Sequence, residues 1–217
     1  MTSAYLEFEW HDGGPANGES GAGLAGKVVD QVRRMPGVQS ICDLGCGNGY
    51  IANRLAAFGY DIFGIDASKS GVAIARAQHE RSQHTGKVSF LESGIDRQTR
   101  SKNGLPLVDL VISSDVIEHL YRPAALLEAA EHLVKPGGKL LITTPYHGYL
   151  KNVALSLSGR MDNHFSALHD GGHIKFFSVK SLSELVNRYA FSDLSFSYYG
   201  RAPWLWKNMI CQARRSD

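Results

Sequence analysis

Short apolar runs alternate with helical segments through the middle of the chain, and this alternation constrains the fold more than any other feature of the sequence. The apolar runs are bounded by turn residues, which is typical of buried strands, and the segments between them suit helices. A series of this kind predicts a parallel sheet covered by helices on both faces. The predicted strands are residues 38–44, 60–65, 88–91, 108–113 and 139–144, and the predicted helices are 51–58, 68–80 and 123–134.

The alternation ends after residue 144. Residues 145–175 contain four histidines and precede a last predicted helix at 179–189, so we interpret them as a cap inserted after strand five. Two β-rich runs, 194–199 and 204–212, then predict a closing hairpin at the edge of the sheet. The predicted fold class is therefore α/β, a doubly wound, seven-stranded and mostly parallel Rossmann-like sheet with an inserted cap.

The N-terminal region has a different composition. Residues 11–26 contain six glycines and one proline, and such a composition does not hold regular structure by itself. We expect a mobile arm here, followed by a helix over 27–35. The predicted organisation is an N-terminal arm and helix at 1–37 and a folded domain at 38–217, with its cap at about 145–175.

Charge and cysteine content disfavour several classes of protein. The chain has 23 Lys and Arg against 21 Asp and Glu, and the basic residues are scattered, so we expect no nucleic acid partner. Its three cysteines include no C-x-x-C pair, which disfavours a disulfide framework or a zinc knuckle. No apolar run approaches the roughly 20 residues of a membrane span. The start of the chain lacks the pattern of a secretory signal, so we expect a cytoplasmic protein.

The segment D-L-G-C-G-N-G at 43–49 ends the first predicted strand and begins the next helix. Glycines here let the backbone turn tightly and let a ligand approach the main chain. Asp66 ends the second strand, 21 residues after Gly45, where a carboxylate can accept hydrogen bonds from a ribose. The glycine spacing is G-x-G-x-G, one residue shorter than the G-x-G-x-x-G fingerprint of dinucleotide-binding proteins. The carboxylate of Asp43 would repel a pyrophosphate but would suit a cationic ligand. A glycine turn without cofactor and a dinucleotide-dependent oxidoreductase are the alternatives.

These residues resemble the class I S-adenosylmethionine-dependent methyltransferases, in which D-x-G-C-G-x-G after strand one and an acid after strand two form the cofactor cleft. The resemblance extends from about residue 38 to 144 and includes D-L-V-I-S-S-D-V-I-E-H at 109–119 and L-V-K-P-G-G-K at 133–139. It implies S-adenosylmethionine as cofactor, S-adenosylhomocysteine as product and a small-molecule acceptor. The cofactor-binding residues that it implies by position are Asp43, Gly45, Cys46, Gly47, Asp66, Ala67, Ile95, Ser114 and Asp115.

The same resemblance implies a role for each part of this set. Gly45 and Gly47 face the methionine portion of the cofactor, Asp43 faces its ammonium group through water, and Asp66 holds the ribose. Many members of the family place an acid beside the adenine after strand three. This chain has E-S-G-I at 92–95 instead, which leaves the adenine to Ile95 and a backbone carbonyl.

Two histidines are candidate catalytic bases, because an imidazole can take the proton of an acceptor hydroxyl. His119 follows strand four at the mouth of the predicted cleft, where Glu118 fits a role in fixing its tautomer. The inserted segment contributes His173 or His169, and we name His119 and His173 as the candidate catalytic residues. The alternative for His119 is a structural role in its loop. The histidine spacing matches no zinc motif, so we expect no metal.

Apolar side chains recur at helical spacing over residues 146–157 and predict one apolar face opposite Lys151. We expect a lid helix whose apolar face packs on the domain or over the acceptor. Peripheral contact of the same face with a membrane surface is the alternative. The side chains of this face are Tyr146, Tyr149, Leu150, Val153, Ala154 and Leu157.

The absence of one sequence motif reduces the range of possible methyl acceptors. Enzymes that methylate base or glutamine amide nitrogens carry N/D/S-P-P-Y/F after strand four, whereas this chain has S-S-D-V at 113–116. The Glu-His pair at 118–119 and G-G-H-I-K-F-F-S at 171–178 resemble quinone-biosynthesis O-methyltransferases. We therefore predict O-methylation of a small aromatic or unsaturated metabolite. Alternatives are carboxylate, N- or C-methylation of a small metabolite, and a cofactor-binding regulatory module without catalysis; the oligomeric state stays open.

Overall fold

The computed structural model describes residue 10 and residues 18–82, 86–165 and 172–217, which fold around one seven-stranded sheet. The strands are β1 (Ser40–Leu44), β2 (Asp61–Asp66), β3 (Val88–Glu92), β4 (Val108–Ser114), β5 (Val134–Pro145), β6 (Phe191–Tyr199) and β7 (Asn208–Arg215). The helices are α1 (Gly18–Arg33), α2 (Tyr50–Ala56), α3 (Lys69–Glu80), α4 (Thr99–Lys102), α5 (Ala124–Leu133), α6 (Tyr149–Leu157), α7 (Met161–Phe165) and α8 (Val179–Val186). A 3-10 turn covers Ile117–His119.

The strand order β3-β2-β1-β4-β5-β7-β6 places β1 and β4 side by side in the centre of the sheet. Strands β1 to β5 pair in parallel, and β7 runs antiparallel between β5 and β6. The predicted α/β class, the mostly parallel sheet and the edge hairpin are confirmed. The order reverses at β1 and β4, and ligands of such sheets bind in the crevice at the carboxyl ends of the strands at this point.

Helices cover both faces of the sheet. Val28 of α1, Leu55 of α2 and Val72 of α3 are buried together on one face. On the other face, Leu126 of α5 and Leu182 of α8 are buried in a second apolar cluster. Because both faces are covered, the central strands are apolar on both sides and appear in the sequence as continuous apolar runs.

The N-terminal helix begins earlier than predicted. Helix α1 starts at Gly18 rather than near residue 27, so the prediction that 18–26 lacks regular structure is wrong; residues 11–17 of the predicted arm lie outside the described residues. Each glycine costs a helix about 1 kcal/mol relative to alanine. Burial of Leu24, Val28 and Val32 against the sheet offsets that cost. A Cβ at Gly23 would overlap the Tyr199 hydroxyl, so this glycine lets the helix approach the sheet edge.

Helices α6 and α7 lie in the predicted cap segment, but α6 presents the opposite face to the one expected. Lys151 is 2% exposed and Leu155 is buried, whereas Tyr149 is 80% exposed and Leu157 is 85% exposed. The prediction that the apolar face packs on the domain is therefore wrong. Burying one large apolar side chain is worth about 1.5–3 kcal/mol, so this orientation forfeits stability that the reverse orientation would gain. The membrane alternative and the predicted domain boundaries stay predictions.

The cysteines agree with the expectation that they form no disulfides. Cys42, Cys46 and Cys211 are free thiols, and all three are buried. Burial raises the pKa of the Cys211 thiol to about 12, which makes it a poor nucleophile. In the described part of the chain, no helix has both the length and the apolar character required to cross a bilayer; the predicted cytoplasmic location stays a prediction.

Candidate active site

Three positions of the loop after β1 adopt backbone angles that favour glycine. Gly45, Gly47 and Gly49 have φ angles of 79°, 51° and 74°, in the left-handed region that disfavours other residues. The Gly45 and Cys46 N–H groups both donate to the Ile65 carbonyl, at 2.7 and 3.0 Å, which ties the loop to β2. A Cβ at Gly45 would overlap the Val116 side chain, so the loops after β1 and β4 are in contact.

Asp66 connects this loop to the end of β2. One carboxylate oxygen accepts a hydrogen bond from the Gly47 N–H at 2.7 Å, and the other accepts from the Ser68 N–H at 2.7 Å. Burial raises the pKa of Asp66, and these two hydrogen bonds oppose the rise. Each carboxylate oxygen has a further lone pair with which it can accept from a ribose hydroxyl. Ala67 follows Asp66 at the same strand end and is exposed.

Asp43 lies beneath the glycine loop and is 2% exposed. Burial, and secondarily the negative charge of Asp66, raises its pKa to about 7. A carboxyl in this state becomes fully ionised when a positive charge is placed beside it. The site therefore suits a cationic ligand, and the role predicted for Asp43 stays a prediction.

Three further predicted cofactor residues, Cys46, Ile95 and Ser114, lie in different surroundings. The Cys46 side chain is buried in the apolar cluster beneath α1, α2 and α3. Cys46 can therefore contact a ligand through its main chain and not through its sulfur. Ile95 follows β3 and is partly buried against the other cluster. Ser114 is the last residue of β4, and its hydroxyl lies 3.0 Å from the hydroxyl of Thr143 on β5.

Asp115 is held by the neighbouring strands. Its Oδ1 accepts from the Thr143 hydroxyl at 2.9 Å and from the Asn208 side-chain amide at 3.0 Å. Its φ of 53° is one that aspartate tolerates better than most residues. Burial raises its pKa, whereas those two hydrogen bonds and the nearby His119 lower it. Asp115 is therefore fixed at the crevice between β4, β5 and β7, where the sequence predicted a cofactor contact.

The two predicted histidines lie together. The rings of His119 and His173 meet edge to face, with centroids 4.9 Å apart. The main chain around His173 is held beside β4, because the N–H groups of Ile174 and Lys175 donate to the Glu118 carbonyl at 2.9 and 3.0 Å. His119 Nδ1 lies 3.2 Å from the Gly172 carbonyl oxygen. His169, the other candidate in the insert, lies outside the described residues.

Glu118 is a fully buried carboxyl beside these histidines. Its Oε2 accepts from the Thr144 hydroxyl at 2.9 Å. Its Oε1 has no hydrogen-bond partner among the described residues and lies 3.9 Å from His173 Nε2. Burial, and then the charge of Asp115, raises the pKa of Glu118 well above its usual range. A positive charge on His173 would favour the ionised carboxylate, so the pair can stabilise an imidazolium.

The same three side chains bring three potential metal-ligand atoms close together. One ligand atom each from Glu118, His119 and His173 lies within 4.8 Å of the other two. A carboxylate with two imidazoles is a donor set that suits several divalent transition metals. The histidine spacing did not predict this group, because its members come from two distant segments.

Trp10 is a residue of the cleft that the sequence did not single out. A Cβ at Gly47 would overlap its indole ring, and a Cβ at Gly71 would come within 2.9 Å of that ring. Its backbone N–H donates to the Ser70 hydroxyl at 3.0 Å. An aromatic side chain from the N-terminal region therefore lies against the glycine loop.

A doubly wound sheet with a glycine loop after β1, an acid at the end of β2 and a polar crevice after β4 defines a nucleoside-binding α/β domain. A family model described as a methyltransferase domain matches residues 20–195, which is most of the chain. The chain therefore belongs to this methyltransferase domain family. The predicted family is confirmed, and with it the enzyme class and the S-adenosylmethionine cofactor at the level of the family.

Curated relatives agree with this assignment. The chain is similar to the ubiquinone biosynthesis O-methyltransferase of Acinetobacter baumannii strain ACICU, with 30% identity over 139 residues that cover 64% of this chain and 50% of the relative. It is also similar to the protein of that name from Cereibacter sphaeroides, with 30% identity over 123 residues that cover 55% and 46%. The chain thus spans about half the length of these curated relatives.

Solved structures share the fold. Magnesium protoporphyrin IX methyltransferase from Synechocystis PCC 6803 with bound SAH has a TM-score of 0.66 and 20% identity, and the match covers 95% of this chain and 90% of that one. An O-methyltransferase family protein from Burkholderia thailandensis also has a TM-score of 0.66 and 20% identity, with coverage of 89% and 57%.

Proposed function

We propose that this chain transfers the methyl group of S-adenosylmethionine to a hydroxyl oxygen of a small metabolite, with His173 as the base. The observation that carries the proposal is the buried Glu118 carboxyl, whose Oε1 has no hydrogen-bond partner among the described residues and lies 3.9 Å from His173 Nε2. The curated relatives are named as ubiquinone biosynthesis O-methyltransferases, which supports an oxygen acceptor.

The residues after β1 and β2 fit this cofactor. The loop after β1 makes a tight turn through three glycines of positive φ, and Asp66 offers carboxylate lone pairs for the ribose hydroxyls. Asp43 supplies a negative charge beneath the loop for the ammonium group. S-adenosylmethionine, when bound, supplies an electrophilic methyl group on a sulfonium.

The histidine pair performs the proton transfer in this proposal. As the acceptor oxygen forms its bond to the methyl carbon and the bond from that carbon to sulfur breaks, the His173 imidazole takes the hydroxyl proton. Glu118 stabilises the imidazolium that results, and His119 packs against the ring and restricts its orientation. The proton then leaves to solvent, and a positioned base of this kind contributes about 10² to 10⁴ in rate.

Methyl transfer can be tested with methyl-labelled S-adenosylmethionine and a panel of phenols, catechols, carboxylic acids and amines. We expect label in a product that survives mild alkali, because an aryl ether is stable there and a methyl ester hydrolyses. Protein with the Gly45→Ala substitution, which is expected to bind the cofactor more weakly, serves as a control, and reactions without protein give the background. Label in an alkali-labile ester, or on nitrogen or carbon, would contradict the proposal and support carboxylate, N- or C-methylation instead.

A second candidate for the Glu118, His119 and His173 group is a divalent cation site, favoured by the convergence of their ligand atoms. These side chains would hold the cation at the mouth of the cleft, where a Lewis acid polarises an acceptor oxygen. The expectation from sequence that no metal is bound stays a prediction.

Cofactor affinity should depend on pH through Asp43. Its pKa of about 7 means that the carboxyl is protonated below neutrality and must lose its proton when a cation binds. We therefore expect the affinity for S-adenosylmethionine to fall as pH decreases from 8 to 6, by up to about tenfold per unit below pH 7. Calorimetry at three pH values measures this, and Asp43→Asn should remove the dependence. Equal affinity of the parent protein at pH 6 and 8 would refute it.

A further inference from the structure

Two adjoining cavities, each of about 390 Å³, open beside the proposed base. The first is bounded by Asp115 after β4, by His173 before α8 and by the loop between β6 and β7. The second continues outward between α6 and that loop. Both are lined by Lys151, His164 and Arg201. A space of this size accommodates a small organic molecule, and its position next to His173 makes it the acceptor side of the crevice.

Lys151 forms the floor of this space and is one of the most completely buried side chains described. Its Nζ donates to the Tyr146 carbonyl at 2.7 Å and to the Lys207 carbonyl at 3.4 Å. Across the described ranges no carboxylate lies within 4 Å of it, and a buried ammonium without a counter-charge is costly. Helix α6 nevertheless turns this lysine inward and leaves Tyr149 and Leu157 in water.

Further cations surround the same space. Arg201 and Lys207 line the first cavity from the β6–β7 loop, and Arg160 lines the second. Among the described side chains, neither Arg201 nor Arg160 has a carboxylate within 4 Å. Burial and the charge of Arg201 lower the pKa of Lys151 to about 8, so the cations repel one another across the cavity. An anion between them would relieve that repulsion.

We propose that the acceptor carries an anionic group, a carboxylate or a phosphate, that binds between Lys151 and Arg201 while its hydroxyl faces His173. This proposal rests on the methyl transfer proposed above and names the chemical class of the acceptor. The cations hold a group other than the attacking oxygen, because an oxygen neutralised by an ammonium and a guanidinium would be a weaker nucleophile. Charged donors form the stronger class of hydrogen bonds to anionic oxygens, and Arg201 can offer two parallel N–H groups.

Binding of matched probes tests the inference without requiring turnover. The full chain, saturated with S-adenosylhomocysteine, is titrated by calorimetry with 4-hydroxybenzoate, its neutral amide and 4-hydroxyphenyl phosphate. We expect at least one of the two anions to bind the parent about tenfold more tightly than the amide. Tighter binding of the carboxylate or of the phosphate identifies which anionic group the site takes.

Two variants and a control locate the effect. Lys151→Met and Arg201→Gln, at an exposed arginine, should each reduce the preference for the anion to less than about threefold. Arg188→Gln, in the exposed turn after α8, should keep it. If Lys151→Met fails to fold, Arg201→Gln alone decides. The inference is overturned if the parent binds acid, phosphate and amide equally, or if Arg201→Gln keeps the preference. It is also overturned if Arg201→Gln weakens S-adenosylhomocysteine itself by the same factor, because the cations would then serve the cofactor's carboxylate.

Discussion

His173→Ala is expected to lower kcat at least about 100-fold, because the acceptor hydroxyl would lose the base that takes its proton. The affinity for S-adenosylhomocysteine, measured by calorimetry, should change by less than about threefold. His119→Ala should have a smaller effect, since His119 packs on the ring and contacts the Gly172 carbonyl. In the parent protein kcat should fall as pH decreases, because a protonated imidazole accepts no proton, and this limb should vanish in His173→Ala.

The Glu118→Gln substitution tests whether the charge of Glu118, and not only its structural role, affects the His173 base. The amide keeps an oxygen near the Thr144 hydroxyl but carries no charge to stabilise an imidazolium. We expect the acid limb of kcat to move rather than vanish, a readout that a purely structural role for Glu118 would not produce. His132→Ala, at the end of α5, is the matched control and should leave kcat and its pH profile unchanged. Near-normal kcat in both His119→Ala and His173→Ala would refute a histidine base.

The same measurements distinguish a base from a metal site. Parent protein treated with EDTA and then freed of it should keep its kcat if His173 acts as a base. Loss of activity that returns with Zn²⁺, Mn²⁺ or Mg²⁺ would assign Glu118, His119 and His173 to a cation instead. Metal binding would then appear in calorimetry of the parent and not of His173→Ala.

The central sheet could be predicted because its strands are buried on both faces and therefore appear as uninterrupted apolar runs. The predicted strand at 60–65 and β2 (Asp61–Asp66) differ by one residue at each end, and the predicted 88–91 lies within β3 (Val88–Glu92). Helix α1 could not be predicted over 18–26 from composition, because its glycines disfavour a helix locally. The burial of Leu24 and Val28 that overcomes this cost is a tertiary effect.

Helix α6 shows the limit of amphipathic pattern. The helix itself was predicted from its apolar spacing. That spacing does not determine which face of the helix packs on the domain, because it takes no account of interactions that favour burial of Lys151. Arg160 is close to Lys151 in the chain, but Arg201 and Lys207 come from the β6–β7 loop, more than forty residues along the chain, so no local window contains the whole set. His119 lies in the turn after β4, whereas His173 lies just before α8 and not at the end of a strand; the position of Glu118 between His173 and Thr144 required coordinates.

Gly45→Ala is expected to reduce the affinity for S-adenosylhomocysteine at least about 100-fold, equivalent to about 2.7 kcal/mol. Its φ of 79° disfavours any Cβ, and the added methyl group would overlap Val116 from the adjoining loop. Either the loop shifts or Val116 moves toward the crevice, and both changes disturb the main chain that approaches the ligand. Calorimetry measures the loss, and circular dichroism establishes that the sheet persists.

Two further variants assign this loss to the cleft rather than to backbone strain. Gly104→Ala carries a similar φ of 61° with open space around its Cβ, so it should lower the free energy of unfolding by about 1 kcal/mol and leave the affinity unchanged. Gly45→Ala combined with Val116→Ala removes the overlap but keeps the strain, and it should recover part of the affinity. If Gly45→Ala binds S-adenosylhomocysteine within about threefold of the parent, the loop after β1 does not hold the cofactor, and the cleft at β1 and β4 is placed wrongly.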